Sequence, residues 1–195
     1  MSIVLLGSTS GSVTLQEPAV AGTTVLDLPA TSGTVALTSQ LTSAGVIQVK
    51  NATTTTRGFQ SAGTATDFPG LTVNITPTSA SNKILVIVNA WFCGDSPTGN
   101  YYLKLQRNGT NIGQGGGNDG TGYVGNAGHR QLSDGQDTSN IQNGNFSFVD
   151  SPALTSTLTY KIQTQGNGGQ FYYNQSAANS HFFMQSSITV MEVTP

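Results

Sequence analysis

Two histidines, one cysteine and nine carboxylates are the side chains from which this chain would have to build chemistry. His129 stands in AGHRQL and His181 in NSHFF, and neither has a second His two or four residues away, the spacing that presents two ligands to one ion. Cys93, in NAWFCGD, cannot form an internal disulfide and has no partner at metal-binding spacing, so it reads as a small buried apolar residue. Asp95, Asp119, Asp134 and Asp137 fall in loop text, where Asp favours turns. GGGNDG and SDGQD also offer oxygens of the kind calcium takes, and paired carboxylates are what glycoside hydrolysis needs. The stretch GQGGGNDGTGYVG, residues 113 to 125, matches G-x-G-x-x-G twice, at Gly115/Gly117/Gly120 and Gly120/Gly122/Gly125. That fingerprint holds a pyrophosphate only where a strand hands the loop to a helix N-terminus, and no helical pattern follows here. There is no P-loop Lys and no G-x-S-x-G elbow. The expectation is a protein that is not an enzyme, with no catalytic residue, no metal and no cofactor.

The loop aromatics offer binding rather than reaction. Tyr123 sits in the glycine-rich loop, and FYY, residues 171 to 173, must put one ring on the face opposite the other two. Exposed Tyr beside Asn, Gln and Asp suits carbohydrate, because rings stack on apolar sugar faces while amides and carboxylates bond hydroxyls. Asn118, Asp119, Tyr123 and Tyr172 are therefore the candidate contacts to a surface glycan or receptor. The alternative is that these tyrosines pack at a core edge or a subunit interface.

The elements that would position such residues are strands. Charged residues are 8% of the 195, against about 25% in an ordinary soluble domain, which leaves little for long surface helices. Glu17 and Asp27 precede the first base, Lys50, and the remaining chain holds seven acids and seven bases. No basic stripe exists to follow a phosphate backbone, so nucleic acid is not an expected partner. No apolar run approaches the length of a membrane span, and MSIVLLGSTSG lacks the basic start of a signal peptide.

Up to residue 45, GSVTL, TTVLDL and GTVAL recur as a weak repeat of short strands punctuated by Pro18, Gly22, Pro29 and Gly33. QLTSAG ends that texture, and the strands lengthen. VIQVKNATTTT (46 to 56), LTVNIT (71 to 76), YYLKLQR (101 to 107), GNFSFVDSP (144 to 152), LTYKIQTQ (158 to 165), GGQFYYNQ (168 to 175) and FFMQSSITVMEV (182 to 193) all read as strands. KILVIVNAWF (83 to 92) is nearly continuous apolar and should be covered on both faces. NG at 108 and 109 marks a hairpin. The expected class is all-β: residues 1–45 as a strand-turn stalk too poor in apolar mass for its own core, and residues 46–195 as a jelly-roll sandwich.

Two sets of residues carry a resemblance. GSTSGSVTLQEPAVAGTTVLDLPATSGTVALTS resembles segments of tailed-phage fibre and structural proteins. LTVNITPTSASNKILVIVNAWF, LKLQRNGTNIG, FVDSPALTSTLTYKIQ and SSITVMEV resemble, in order, the head domain of phage fibre-like proteins. The resemblance implies a homotrimeric jelly roll similar to complement globular heads and tumour-necrosis-factor-like domains, on the virion surface, in a tail fibre, tip or head fibre used for host attachment. Alternatives are a capsid decoration protein, or a glycan-binding module without a structural role. It also implies that the last strand runs near the threefold axis, making Ile188 and Val190 contacts between subunits. In such a trimer, Val13, Leu15, Val25, Leu28, Val35 and Leu37 of three chains would share an axial core, or residues 1–45 would dock on another virion protein.

Overall fold

The computed structural model of the chain describes residues 3–6, 9–15, 45–96, 98–115, 125–130, 141–177 and 183–195. The chain divides into two units, Met1–Thr42 and Ser43–Pro195; the change of texture in the sequence lies at 45/46.

In the first unit β1 (Ile3–Leu6) and β2 (Ser12–Leu15) form an antiparallel hairpin, with Ile3 opposite Leu15 and Leu6 opposite Ser12. The GSVTL stretch supplies β2; its partner IVLL is a strand the sequence reading did not single out. Val4, Leu5 and Leu6 are all exposed, and because successive side chains alternate, both faces of the hairpin carry exposed apolar groups. TTVLDL and GTVAL, with Val25, Leu28, Val35 and Leu37, lie outside the described residues.

The second unit contains β3 (Val46–Thr54), β4 (Gly58–Ser61), β5 (Thr66–Ile75), β6 (Lys83–Gly94), β7 (Asn100–Arg107), β8 (Thr110–Asn111), β9 (Ala127–Arg130), β10 (Gln142–Asp150), β11 (Leu158–Gly166), β12 (Gln170–Tyr173) and β13 (Ser186–Val193). No helix occurs among the described residues. Two antiparallel sheets result. In the first, β6 is central: β10 pairs along one edge, while β13 and then β12 share the other, backed by β3 and β4. In the second, β5, β11 and β7 lie in order, and β8 and β9 pair with opposite ends of β7.

The sheets face one another across a core to which both contribute. Ile84, Val86, Val88, Ala90, Phe92, Phe171, Ile188 and Val190 come from the first, and Phe68, Leu71, Ile75, Tyr101, Leu103, Leu105, Leu158, Tyr160 and Ile162 from the second. The alternation legible in YYLKLQR and LTYKIQTQ puts Tyr101, Leu103, Leu105, Leu158, Tyr160 and Ile162 inside. The turn at Asn108 and Gly109 closes a two-residue hairpin in which both residues have positive φ, 49° and 82°, the conformation that selects Asn-Gly. Gly94 is required for space: a methyl there would fall within the Tyr101 ring.

The structure corrects two expectations. Ile188 and Val190 are fully buried inside one chain, facing β6 and the opposite sheet, which leaves them no surface for a subunit contact. The residues that β13 turns outward are Ser187, Thr189, Met191 and Val193. The second concerns β6, expected to be covered on both faces. Within one chain only the Ile84/Val86/Val88 face is covered; Leu85 is half-buried and Ile87 is 40% exposed.

Candidate functional site

Three buried polar clusters fix the strands that carry the outer faces. Glu192 on β13 points inward and is completely buried. Its Oε1 accepts from Asn82 Nδ2 at 2.6 Å, Thr78 N at 2.7 Å and Thr78 Oγ1 at 2.8 Å, and its Oε2 accepts from Gln48 Nε2 at 2.6 Å. Burial alone would raise this carboxyl, but the bonds from Asn82, Gln48 and Thr78 outweigh it and hold the group down at about 2. Asp150 on β10 accepts from Arg107 Nη1 at 2.8 Å on both oxygens and from Tyr160 Oη at 2.6 Å, which ties an edge of the first sheet to the second. Burial, then the neighbouring Asp150, pushes the Tyr160 phenol far up. Asn174, buried with φ 55°, donates to the carbonyls of Thr54 and Thr56 and accepts from Ser186 Oγ at 2.6 Å. Ser186 Oγ in turn accepts from Trp91 N at 2.9 Å.

With β3, β13, β6 and β10 held in register, their outward side chains form continuous rows. Val49, Met191, Leu85 and Val149 are successive cross-strand neighbours over all four strands. Val49 is 52% and Val149 53% exposed. The adjacent row is Asn51, Thr189, Ile87 and Ser147, and the next is Thr53, Ser187, Asn89 and Asn145. Val46 and Val193 pair at the other margin. These rows contain no acid, and Lys83, opposite Val193, is their one base. A sheet face left to water normally alternates apolar-in with charged or strongly polar-out, so this one is unusual in carrying an apolar band and almost no charge.

At the far end of β6 the same face turns aromatic. Tyr172 on β12 lies between Cys93 and Phe59, its partners on β6 and β4. Phe171 points the other way, into the core, and Tyr173 packs against it beside Phe68. FYY thus divides its rings between the two faces as the alternation requires.

Of the residues singled out from sequence, Tyr172 is the one candidate glycan contact whose surroundings are described; Asn118, Asp119 and Tyr123 lie outside the described residues. Val13 and Leu15 fall on β2, opposite Leu5 and Ile3. Cys93 is buried, its Sγ 3.5 Å from the Gln175 carbonyl, and burial pushes the thiol up to about 11. Asp95 accepts from Gln170 N at 2.7 Å and so serves to close a loop. Among the described residues no group of three or more His, Cys, Asp or Glu could hold a metal ion, and no helix is long and apolar enough to cross a membrane. Sequence reasoning missed Phe59, in a strand of four residues, and the apolar row, which becomes visible only when the pairing register is known. No family model matches this sequence, and no curated protein matches it.

Proposed function

We propose that the chain is a structural subunit of a virion, a homotrimeric fibre-like surface appendage whose subunits pack through the outer face of the first sheet. The observation that carries this reading is the second face of β6. Leu85 and Ile87 belong to an apolar run that wants cover on both sides, and one chain covers only one side. Val49, Met191 and Val149 extend the uncovered apolar surface across the sheet. The near absence of charge favours further copies as the cover, because the same face of three chains can then pack around a common axis without like-charge repulsion. The strand order supports a jelly-roll head: β3, β13, β6, β10 in one sheet and β5, β11, β7, β9 in the other set the first head strand beside the last, as two Greek keys do. The virion assignment itself rests on the resemblance of the strand sequences to phage fibre-like heads.

Light scattering on the full chain at micromolar concentration tests the assembly. The expected mass is three times 20.2 kDa. Val149→Asp, at a half-exposed position outside the core, should give a folded monomer with an unchanged far-ultraviolet spectrum. A wild-type monomer refutes the trimer, and a trimer that survives Val149→Asp refutes this face as its interface. Antibody labelling of purified phage particles tests the virion assignment, and particles that carry no label refute it.

A further inference from the structure

The aromatic end of the first sheet has a composition that neither the core nor the apolar rows explain. The Phe59 and Tyr172 rings lie 5.4 Å apart between centroids, tilted by 41°, and Phe59 is 56% exposed. Two residues before Phe59, the Arg57 guanidinium lies 4.2 Å from the centroid of the Phe183 ring, which is 73% exposed. Tyr172 Oη donates to Gln170 Oε1 at 2.8 Å. Asp95, which accepts from the Gln170 backbone N–H, acts on the same phenol: burial first, then Asp95, raises its pKa. The Phe59–Tyr172 pair thus has an amide and a carboxylate at the Tyr172 hydroxyl.

We propose that this shelf is a carbohydrate-binding site, on which one pyranose ring of an oligosaccharide lies against Phe59 and Tyr172. A pyranose offers an apolar C–H face to an aromatic ring and hydroxyls around its rim. The shelf matches that with ring faces at its centre and hydrogen-bonding groups at the margin of Tyr172. Gln170 and Asp95 meet the Tyr172 hydroxyl, so hydrogen-bonding groups stand at the edge of the ring, where the hydroxyls of a stacked sugar would lie. Strand pairing fixes the backbones that carry the rings, the rings pack on each other, and Tyr172 is also held through Gln170, which limits the side-chain freedom lost on binding. The site is separate from the apolar rows. Asn89, where the rows end on β6, and Cys93, beside Tyr172, are four positions apart, roughly 13 Å along a strand. A second copy on the rows and a sugar on the shelf therefore do not compete, and the inference goes beyond the assembly reading without depending on it.

The test is saturation-transfer NMR on the full-length chain with three probes: maltohexaose, chitohexaose and a hyaluronan hexasaccharide. At least one is expected to receive saturation from the protein's aromatic protons. Phe59→Ala should weaken that binding at least ten-fold and Tyr172→Phe a few-fold. Thermal melts confirm that the Phe59→Ala protein is folded; Tyr172→Phe keeps the ring and provides a second reading. No transfer to any of the three probes overturns the proposal, as does binding that Phe59→Ala leaves unchanged. A Phe59→Ala variant that loses its oligomeric mass while keeping its sugar signal makes the shelf an interface and also overturns it. A protein that binds sugar as a monomer would instead leave the shelf standing and remove the trimer.

Discussion

Replacing Glu192 by Gln isolates the electrostatic part of the most heavily bonded buried group in the second unit. The carboxylate receives four hydrogen bonds, from Gln48, Asn82 and Thr78. Gln has the same shape, and Gln48 can turn its amide to accept from it at the loss of its exposed bond to the Thr76 carbonyl, so the variant loses charge assistance and that one bond rather than packing. A hydrogen bond to a charged group is worth about 1 kcal/mol more than a neutral one. The pH dependence gives an independent figure. The carboxyl is held at about 2 against an ordinary 4.5, and each unit of pKa corresponds to about 1.4 kcal/mol, which gives an upper value of about 3 kcal/mol. The folded-state pKa is the lower one, so this stabilisation is complete above pH 4.5 and disappears as pH falls toward 2. Urea unfolding of wild type and Glu192→Gln at fixed protein concentration, from pH 7 to pH 2.5, reads it directly, because the other carboxylates cancel in the difference. The expected gap is about 2 to 3 kcal/mol at pH 7, shrinking to about a quarter of that at pH 2.5. A gap that stays constant between pH 7 and pH 3 would refute the assignment of that stability to the ionised carboxylate.

Cys93, buried and pushed up to about 11, should not react with Ellman's reagent at pH 8 in the native protein, where only about 0.1% would be thiolate, and should react stoichiometrically in urea; stoichiometric native labelling refutes its burial. Tyr160 should remain un-ionised in an alkaline titration followed at 295 nm until the protein unfolds, because its phenol is buried against Asp150. Its folded pKa lies above the unfolded one, so stability is lost as pH rises beyond about 10, and Tyr160→Phe should flatten that loss. An identical alkaline profile in the variant would show that another tyrosine carries the effect.

Much of the sandwich was legible because its inner faces obey a two-residue period that depends on nothing distant. Leu103 and Leu105 of β7 and Tyr160 and Ile162 of β11 are inside, as their spacing required, and Asn108-Gly109 turns as its side chains permit. Legibility fails where a residue's environment is assembled from remote sequence. β5 starts at Thr66, ahead of LTVNIT, and runs through Pro69 and Gly70, where Gly70 takes φ 80° and a methyl on it would press on Thr54. Glu192 in ITVMEV looks like a solvent-facing charge, and only the donors at 48, 78 and 82 make it a core residue. KILVIVNAWF has the hydropathy of a strand covered on both faces, and a single chain covers it on one. The shelf was half-visible: the FYY alternation announced Tyr172, while Phe59 gave no signal until pairing set it opposite.

The position of β13 also sets when this domain can fold. It lies in the interior of the first sheet, between β3 and β6, and its Glu192 gathers groups 110 to 144 residues earlier in the chain. Until residue 193 has been synthesised, β3 has no partner strand, β6 has one open edge, and the donors at 48, 78 and 82 have no carboxylate. Contacts this distant in sequence close slowly, because loop entropy is lost before pairing compensates it. The second unit therefore keeps apolar strand edges open until β13 is made and completes this sheet in a late step, when β13 enters between two strands made earlier.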